Sequence, residues 1–210
     1  MKDTIIALVA VGDKSVQSVI GYYVKLKKMG FEVKILTDQP YHFNEKDVRL
    51  YTKKIFNYFD KIFFCLNLVS EFDKNVLYFD DDYRLSESDI ISYIENSINH
   101  PFTYLSNWPD GKFYNYKERK CFRYLLEYLE YKKIPLDNFE TIWENVSFYN
   151  RKANHNLIEK ELEIIKPVFD FISLMNDETY TKPFVISGAE GLALSIVMSV
   201  NNIPFKKISL

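Results

Sequence analysis

Cysteine is scarce in this chain: Cys65 and Cys121 are the only two among 210 residues. Two thiols exclude a disulfide-stapled fold and a cysteine-built zinc site. Cys65, inside the apolar stretch Ile62-Phe63-Phe64-Cys65-Leu66, reads as an ordinary buried thiol. No apolar run reaches the ~18 residues that a bilayer span needs. Neither sign of charge dominates; the formal net charge is −2, which removes the bulk electrostatic case for a nucleic acid or membrane surface. The apolar opening at residues 4–11 is short for a signal peptide and leads into Gly12-Asp13-Lys14. It reads as a first strand, and the chain as cytoplasmic with no transmembrane segment. Repeats, low-complexity tracts and linkers are missing. So are the fingerprints G-x-G-x-x-G and G-x-x-x-x-G-K-[ST]. A sheet without them must hold nucleotide phosphates by other means, and a metal on an acidic loop is one.

What is present suits one α/β domain. Apolar residues make up 47% and charged residues 27%, a globular balance. Aromatics reach 17%, enough for a large core or for stacking platforms; AT-rich coding would give the same excess. The run at residues 5–11 predicts a buried parallel strand. Val16, Val19, Ile20, Tyr23 and Val24 then recur at helical spacing, with Gly30 placed to end the helix. A second strand at 31–36 runs into Thr37-Asp38 and completes a βαβ opening. Further along, the patterns predict helices at 45–59 and 61–72, a central strand at 76–79, a helix at 86–98 and a strand at 102–105. Residues 116–133 read as helix, 142–149 as strand, and 155–175 as a long helix interrupted at Pro167. A short strand at 184–186, a helix from 189 to about 200 and a last strand at 203–208 close the chain.

The strongest chemical signal follows the central strand: Asp80, Asp81 and Asp82 directly after Val76-Leu77-Tyr78-Phe79. Two like charges ~5 Å apart at an effective dielectric of ~20 repel by roughly 3 kcal/mol. Carboxylates in such a row must face water or share a cation. Hard divalent ions such as Mn2+ or Mg2+ take oxygen ligands and combine one or two carboxylates with substrate phosphates. Open α/β sheets bind ligands at the carboxyl ends of their strands, which is where this triplet lies.

The stretch Asp60-Lys61-Ile62-Phe63-Phe64…Asp73-Lys74-Asn75-Val76-Leu77-Tyr78-Phe79-Asp80-Asp81-Asp82 resembles the nucleotide-sugar glycosyltransferases of GT-A fold. The likeness is greatest to the group of glycogenin and the bacterial lipopolysaccharide galactosyltransferases. It implies a single-domain, Rossmann-like α/β architecture, a mixed and mainly parallel sheet flanked by helices. Residues 1–85 would form a nucleotide-binding half and 86–210 an acceptor-side half. The family's D-x-D pair binds Mn2+ or Mg2+ and, through it, the donor diphosphate. Asp80 and Asp82 match its two aspartates, and Asp81 the variable position. The loop after the first strand contacts the nucleoside in the family, which points to Val11 and Asp13; Asp38, Lys61, Asp81 and Arg84 complete the implied donor contacts. For Lys61 and Arg84 a plain surface charge is the competing reading. The family's C-terminal H-x-x-G-x-x-K-P-W element is not in the sequence, and His42, His100 and His155 stand in other contexts.

An inverting transferase needs a carboxylate base near the acceptor hydroxyl; Glu190, Glu144 and Asp110 are the candidates. Glu190 competes with a capping box in Ser187-Gly188-Ala189-Glu190, and Asp110 with a role in the turn Asn107-Trp108-Pro109-Asp110-Gly111. Trp108 and Trp143 are candidates for stacking on a sugar or base, against a core role. Lys112, Lys117, Arg119, Lys120, Arg123, Lys132 and Lys133 form the one basic segment. It is a solvated helix face or a surface for a polyanionic acceptor, so a hydroxymethylated base in DNA stays open beside a saccharide acceptor. The expected function is transfer of a sugar from a UDP-sugar or other nucleotide-sugar to a hydroxyl acceptor. A sugar nucleotidyltransferase and a non-catalytic nucleotide-sugar binding module are the two alternatives.

Overall fold

The computed structural model describes residues 3–54, 56–57, 59–105, 127, 142, 145–174 and 189–209. The chain divides into two compact units, one of residues 1–106, 144–155 and 205–210, the other of 107–143 and 156–204. The first contains β1 (Thr4–Ala10), α1 (Asp13–Lys28), β2 (Glu32–Thr37), two short turns of 3-10 helix (Pro40–His42 and Glu45–Asp47) and β3 (Val48–Leu50). It continues with α2 (Phe59–Phe72), β4 (Asn75–Phe79), α3 (Glu87–Ser97), β5 (Phe102–Leu105), β6 (Val146–Tyr149) and β7 (Phe205–Ile208). The second unit holds most of α4 (His155–Leu174) and α5 (Ala189–Val200). Among the described residues no helix is long and apolar enough to cross a membrane.

The strands form one sheet in the order β3-β2-β1-β4-β6-β5-β7. β1 pairs in parallel with β2 and β4, and β2 with β3. β6 pairs antiparallel with β4 and β5, while β5 and β7 are parallel. Only β6 is reversed, so the expected mixed, mainly parallel α/β sheet is what the chain forms. All seven residues of β1 are buried, as its unbroken apolar run requires of a strand covered on both faces. Alternation along the strands then sorts the side chains. Ile6, Leu8, Val33, Ile35, Leu77 and Phe79 join a core with α1 and α3, whereas Tyr78 meets Lys61 of α2.

α1 begins after Gly12 and ends at Gly30, whose φ of +84° is the left-handed conformation expected there. Gly30 N–H donates to Lys27 O at 3.1 Å and Phe31 N–H to Leu26 O at 3.2 Å, the paired bonds of a Schellman ending. Its buried stripe is Val16, Val19, Tyr22, Tyr23 and Leu26, and Val24 is left 43% exposed. Tyr22 takes the place expected of Val24: its ring meets Phe79 edge-on at 5.7 Å, and such pairs add about 0.5–1.5 kcal/mol to area burial.

Residues 45–59 do not form the expected helix. Val48 and Arg49 pair with Ile35 and Leu36 as a short edge strand. Tyr51 N–H donates to Thr37 O at 2.7 Å. Sheet pairing on a β-branched residue outweighs the helical spacing of Val48 and Tyr51. α4 runs through Pro167 without the expected break. The turn at 107–111 and the strand at 184–186 lie outside the described residues, as does the helix at 116–133 apart from Glu127.

Candidate functional site

The chain leaves β1 for one side of the sheet, building β2 and then β3. After α2 it re-enters at β4, on the other side of β1. The reversal makes the carboxyl ends of β1 and β4 a topological switch point, the usual place for a ligand crevice in such sheets. Leu8 pairs with Phe79 and Ala10 with Thr37. The loops carrying Val11–Asp13, Asp38 and Asp80–Asp82 therefore leave the same edge of three adjacent strands. The sequence-predicted donor and metal residues of the first unit are brought together.

The loop after β1 is tied to the loop after β2. Gly12, at φ +82° and ψ 154°, holds a backbone conformation that L residues rarely adopt. Its N–H points at the Asp38 carboxylate, 3.0 and 3.2 Å from the two oxygens. Gln39 Nε2 donates to Asp13 Oδ1 at 2.6 Å, and Tyr41 Oη donates to Gln39 Oε1 at 3.0 Å. Asp13 opens the sixteen-residue helix α1, whose N-terminal end favours anions. Val11 is half-buried beside it.

The acidic loop is pinned at both ends. Asp80 N–H donates to Asn145 O at 2.7 Å, and Tyr83 N–H to Asp80 O at 3.1 Å. Ser18 Oγ of α1 donates to Asp81 O at 2.6 Å. Arg84 closes over the same carbonyl: its Nη2 donates to Asp81 O at 2.6 Å and to Ser18 O at 2.6 Å. Its guanidinium lies 4.8 Å from the Tyr22 ring centroid. Leu85 N–H donates to Tyr22 Oη at 3.2 Å. Arg84 thus fastens the loop to α1.

Asp80 occupies the inner corner. Tyr78, two residues back and on the same face of β4, donates its hydroxyl to Asp80 Oδ1 at 2.8 Å. Lys61 Nζ stands 3.8 Å from Asp80 Oδ2, with its side chain 3% exposed against 31% for that of Asp80. Lys61 is therefore a buried cation, in place of the plain surface charge that the sequence favoured. Asp81 is half-buried and Asp82 exposed.

The donor set is oxygen-only and small. Among the described residues no three His, Cys, Asp or Glu gather as a metal shell. Two carboxylates, one half-buried and one exposed, are the oxygen donors of a hard cation that completes its coordination with phosphate oxygens and water. Cys65 is buried, and burial, opposed in part by Lys61, pushes its thiol far up; it is no nucleophile.

The three candidate bases are not gathered here. Glu144 and Asp110 lie outside the described residues, as do Trp108, Trp143 and the basic segment at 112–133. Glu190 is the second residue of α5, and its side chain is likewise outside them. A cavity of about 750 Å³ has no acidic-loop residue in its lining, which includes Leu36, Arg49, Tyr51, Lys53, Asp60 and Leu68. Tyr51 there donates to Asp60 Oδ2 at 2.7 Å, and burial, reinforced by that carboxylate, pushes its phenol up to about 12.

Ser18, Tyr22, Tyr78 and Asn145 are site-shaping residues that sequence reasoning missed. Period-two alternation was enough to put Tyr78 and Asp80 on one face. Nothing local marks Ser18 or Asn145, which act through tertiary contacts.

No protein-family model and no curated protein sequence matches the chain. Among solved structures it is similar to CMP:2-keto-3-deoxy-manno-octonic acid synthetase complexed with CTP, at 10% identity and a TM-score of 0.47 over 99% of this chain and 90% of that one. It is also similar to galactosyltransferase LgtC in complex with donor and acceptor sugar analogues, at 10% identity and a TM-score of 0.46 over 93% of this chain and 70% of that one.

Proposed function

We propose that the chain is a metal-dependent glycosyltransferase that takes a nucleotide-sugar, first of all a UDP-sugar, as donor and a hydroxyl group as acceptor. The observation that carries this reading is the placement of Asp80: a carboxylate at the switch point of the sheet, held by Tyr78 and flanked by buried Lys61, with Asp82 exposed nearby. The neighbouring N-terminus of α1 suits an anionic ligand, while the Gly12 N–H is already satisfied by Asp38.

In this reading Asp80 and Asp82 hold Mn2+ or Mg2+. The ion, when bound, supplies Lewis-acid stabilisation of the charge that builds on the leaving diphosphate. Lys61 adds a fixed positive charge behind Asp80. Asp13 and Asp38, with Val11, orient the nucleoside, while Arg84 and Ser18 keep Asp81 and its neighbours in place. The bond from the anomeric carbon to the phosphate oxygen breaks, and a bond from that carbon to the acceptor oxygen forms. The acceptor proton passes to a carboxylate, for which Glu190, Glu144 and Asp110 remain the candidates.

The test is a thermal-unfolding screen of UDP-, CDP- and GDP-linked sugars with and without Mn2+, followed by turnover assays on whatever binds. A ligand at 100 times its dissociation constant stabilises by about 2.7 kcal/mol, a readable shift. Midpoints that rise only with metal and donor together, followed by release of a nucleoside diphosphate, support the reading. Pyrophosphate release from a nucleoside triphosphate moves the chain to the nucleotidyltransferases. Binding without turnover makes it a binding module. No shift with any nucleotide ends the proposal.

A further inference from the structure

Lys61 sits where a metal site would ordinarily tolerate no second cation. α2 brings it to Asp80 from the protein side, with Nζ 3.8 Å from Oδ2 and 5.6 Å from the centroid of the Tyr78 ring. Tyr78 takes the other oxygen. Asp80 is half-buried and Asp82 exposed. A divalent ion held by these two aspartates shares the Asp80 carboxylate with an ammonium that cannot retreat, because the lysine side chain is 3% exposed. Like charges a few ångströms apart repel, and at a half-buried site water screens them poorly. A diphosphate reverses the balance, because its charge attracts the ion and the ammonium alike.

Resting on the metal-and-diphosphate reading above, we infer that Lys61 is a positioning residue that couples cation binding to nucleotide binding. It keeps the acidic loop weakly occupied until a diphosphate arrives. Coupling of this kind is reciprocal: whatever factor the nucleotide adds to the affinity for the ion, the ion adds to the affinity for the nucleotide. The free protein therefore stays largely metal-free at concentrations where the complex is saturated, and the ion and the nucleotide load together. Arg at this position preserves the charge. Met preserves most of the apolar stem and removes it.

The experiment is a titration with Mn2+, following the free aqua ion by electron paramagnetic resonance, with and without saturating UDP and with CDP and GDP in parallel. Wild type, Lys61→Met, Lys61→Gln and Lys61→Arg are compared, with circular dichroism to verify folding. In wild type a nucleoside diphosphate tightens Mn2+ binding by a factor within the ~5–150-fold range of ordinary coupling. In Lys61→Met and Lys61→Gln the ion binds the free protein more tightly and the factor falls severalfold; Lys61→Arg stays near wild type. A wild-type affinity for Mn2+ that no nucleotide changes overturns the inference without any variant. So does an undiminished factor in folded Lys61→Met or Lys61→Gln; in both cases metal binding at the loop still stands. Absence of Mn2+ binding in every arm, wild type with nucleotide included, overturns the metal reading itself and this inference with it.

Discussion

The two ends of β4 are built from opposite materials. At its amino end Asn75 is 3% exposed and neutral, and its amide oxygen accepts the backbone N–H of Arg151 at 3.0 Å. Arg151 Nη1 donates to Asp73 O at 3.3 Å, and Asn150 Nδ2 to Ile98 O at 2.7 Å. Here the polar groups close loops on one another, and the charge of Lys74 is paired with Glu32 at 2.6 Å. At the carboxyl end, five residues away, three aspartates follow one another, Asp80 and Asp81 half-buried and Asp82 exposed. One end uses its polar atoms to finish the fold, while the other holds charge in reserve. The charged end is the one at which the proposed function places its ligand.

The largest test of that contrast is Asp82→Asn. It is expected to lower metal-dependent donor turnover by at least about 100-fold, the usual scale for losing one group that stabilises transition-state charge. The thermal midpoint without ligand should stay near wild type, since the side chain is exposed. Unfolding by denaturant together with turnover assays gives both numbers. Asn75→Ala is the mirror experiment. It leaves a backbone N–H of Arg151 without its buried acceptor, which costs about 1–3 kcal/mol. Mn2+ affinity should be unchanged. If stability and metal affinity fall together in either variant, the two ends are not separable.

Arg84→Ala sharpens the picture inside the charged end. Outer-shell changes at metal sites commonly weaken metal affinity about 10-fold or more, and the same is expected when Asp81 O loses its guanidinium partner. Restoration of most of that affinity by millimolar guanidinium in the Mn2+ titration would identify the loss as local. No loss at all would return Arg84 to an ordinary surface charge.

The smallest effect belongs to the amino end. His155 is buried; its Nε2 meets Asn150 O, and its Nδ1 has no hydrogen-bond partner among the described residues. Burial holds its pKa below the usual 6.5, partly offset by that hydrogen bond. A depressed histidine adds no pH dependence above about 6.5. Below that the unfolded chain takes up the proton first, so stability falls until the folded value is passed. Thermal midpoints from pH 7.5 to 5.5 should drop more in wild type than in His155→Gln. Equal drops would show that carboxylates alone set the slope.

Most of this architecture was legible because its signals are local. The apolar run of β1, the Gly30 stop and the spacing of β4 to its aspartates read directly into the sheet. The miss at residues 45–59 has a tertiary cause: Val48 finds Ile35 across the strand, which no helical count foresees. The Val24 stripe failed for a related reason, since the site decides in favour of the larger Tyr22 ring. For the candidate site, sequence located the acidic residues and the loops around them. It could not see that Lys61 is buried, because the residue follows Asp60 in the first turn of α2, where a charge is ordinarily solvated, and burial is decided by what faces it. Nor could it find Ser18 or Asn145, whose contributions are a hydroxyl and a carbonyl arriving from distant parts of the chain.

The reversed strand has a consequence for how such a chain changes over time. β5 ends at Leu105 and β6 begins at Val146, opposite Phe79, so the long connection between them departs and returns along the margin where the aspartates lie. Its two anchor points are neighbours in the ladder, with Tyr104 paired to Ser147. Its two ends are fixed by ladder partners, so a change in the length of that segment leaves every rung of the sheet in register.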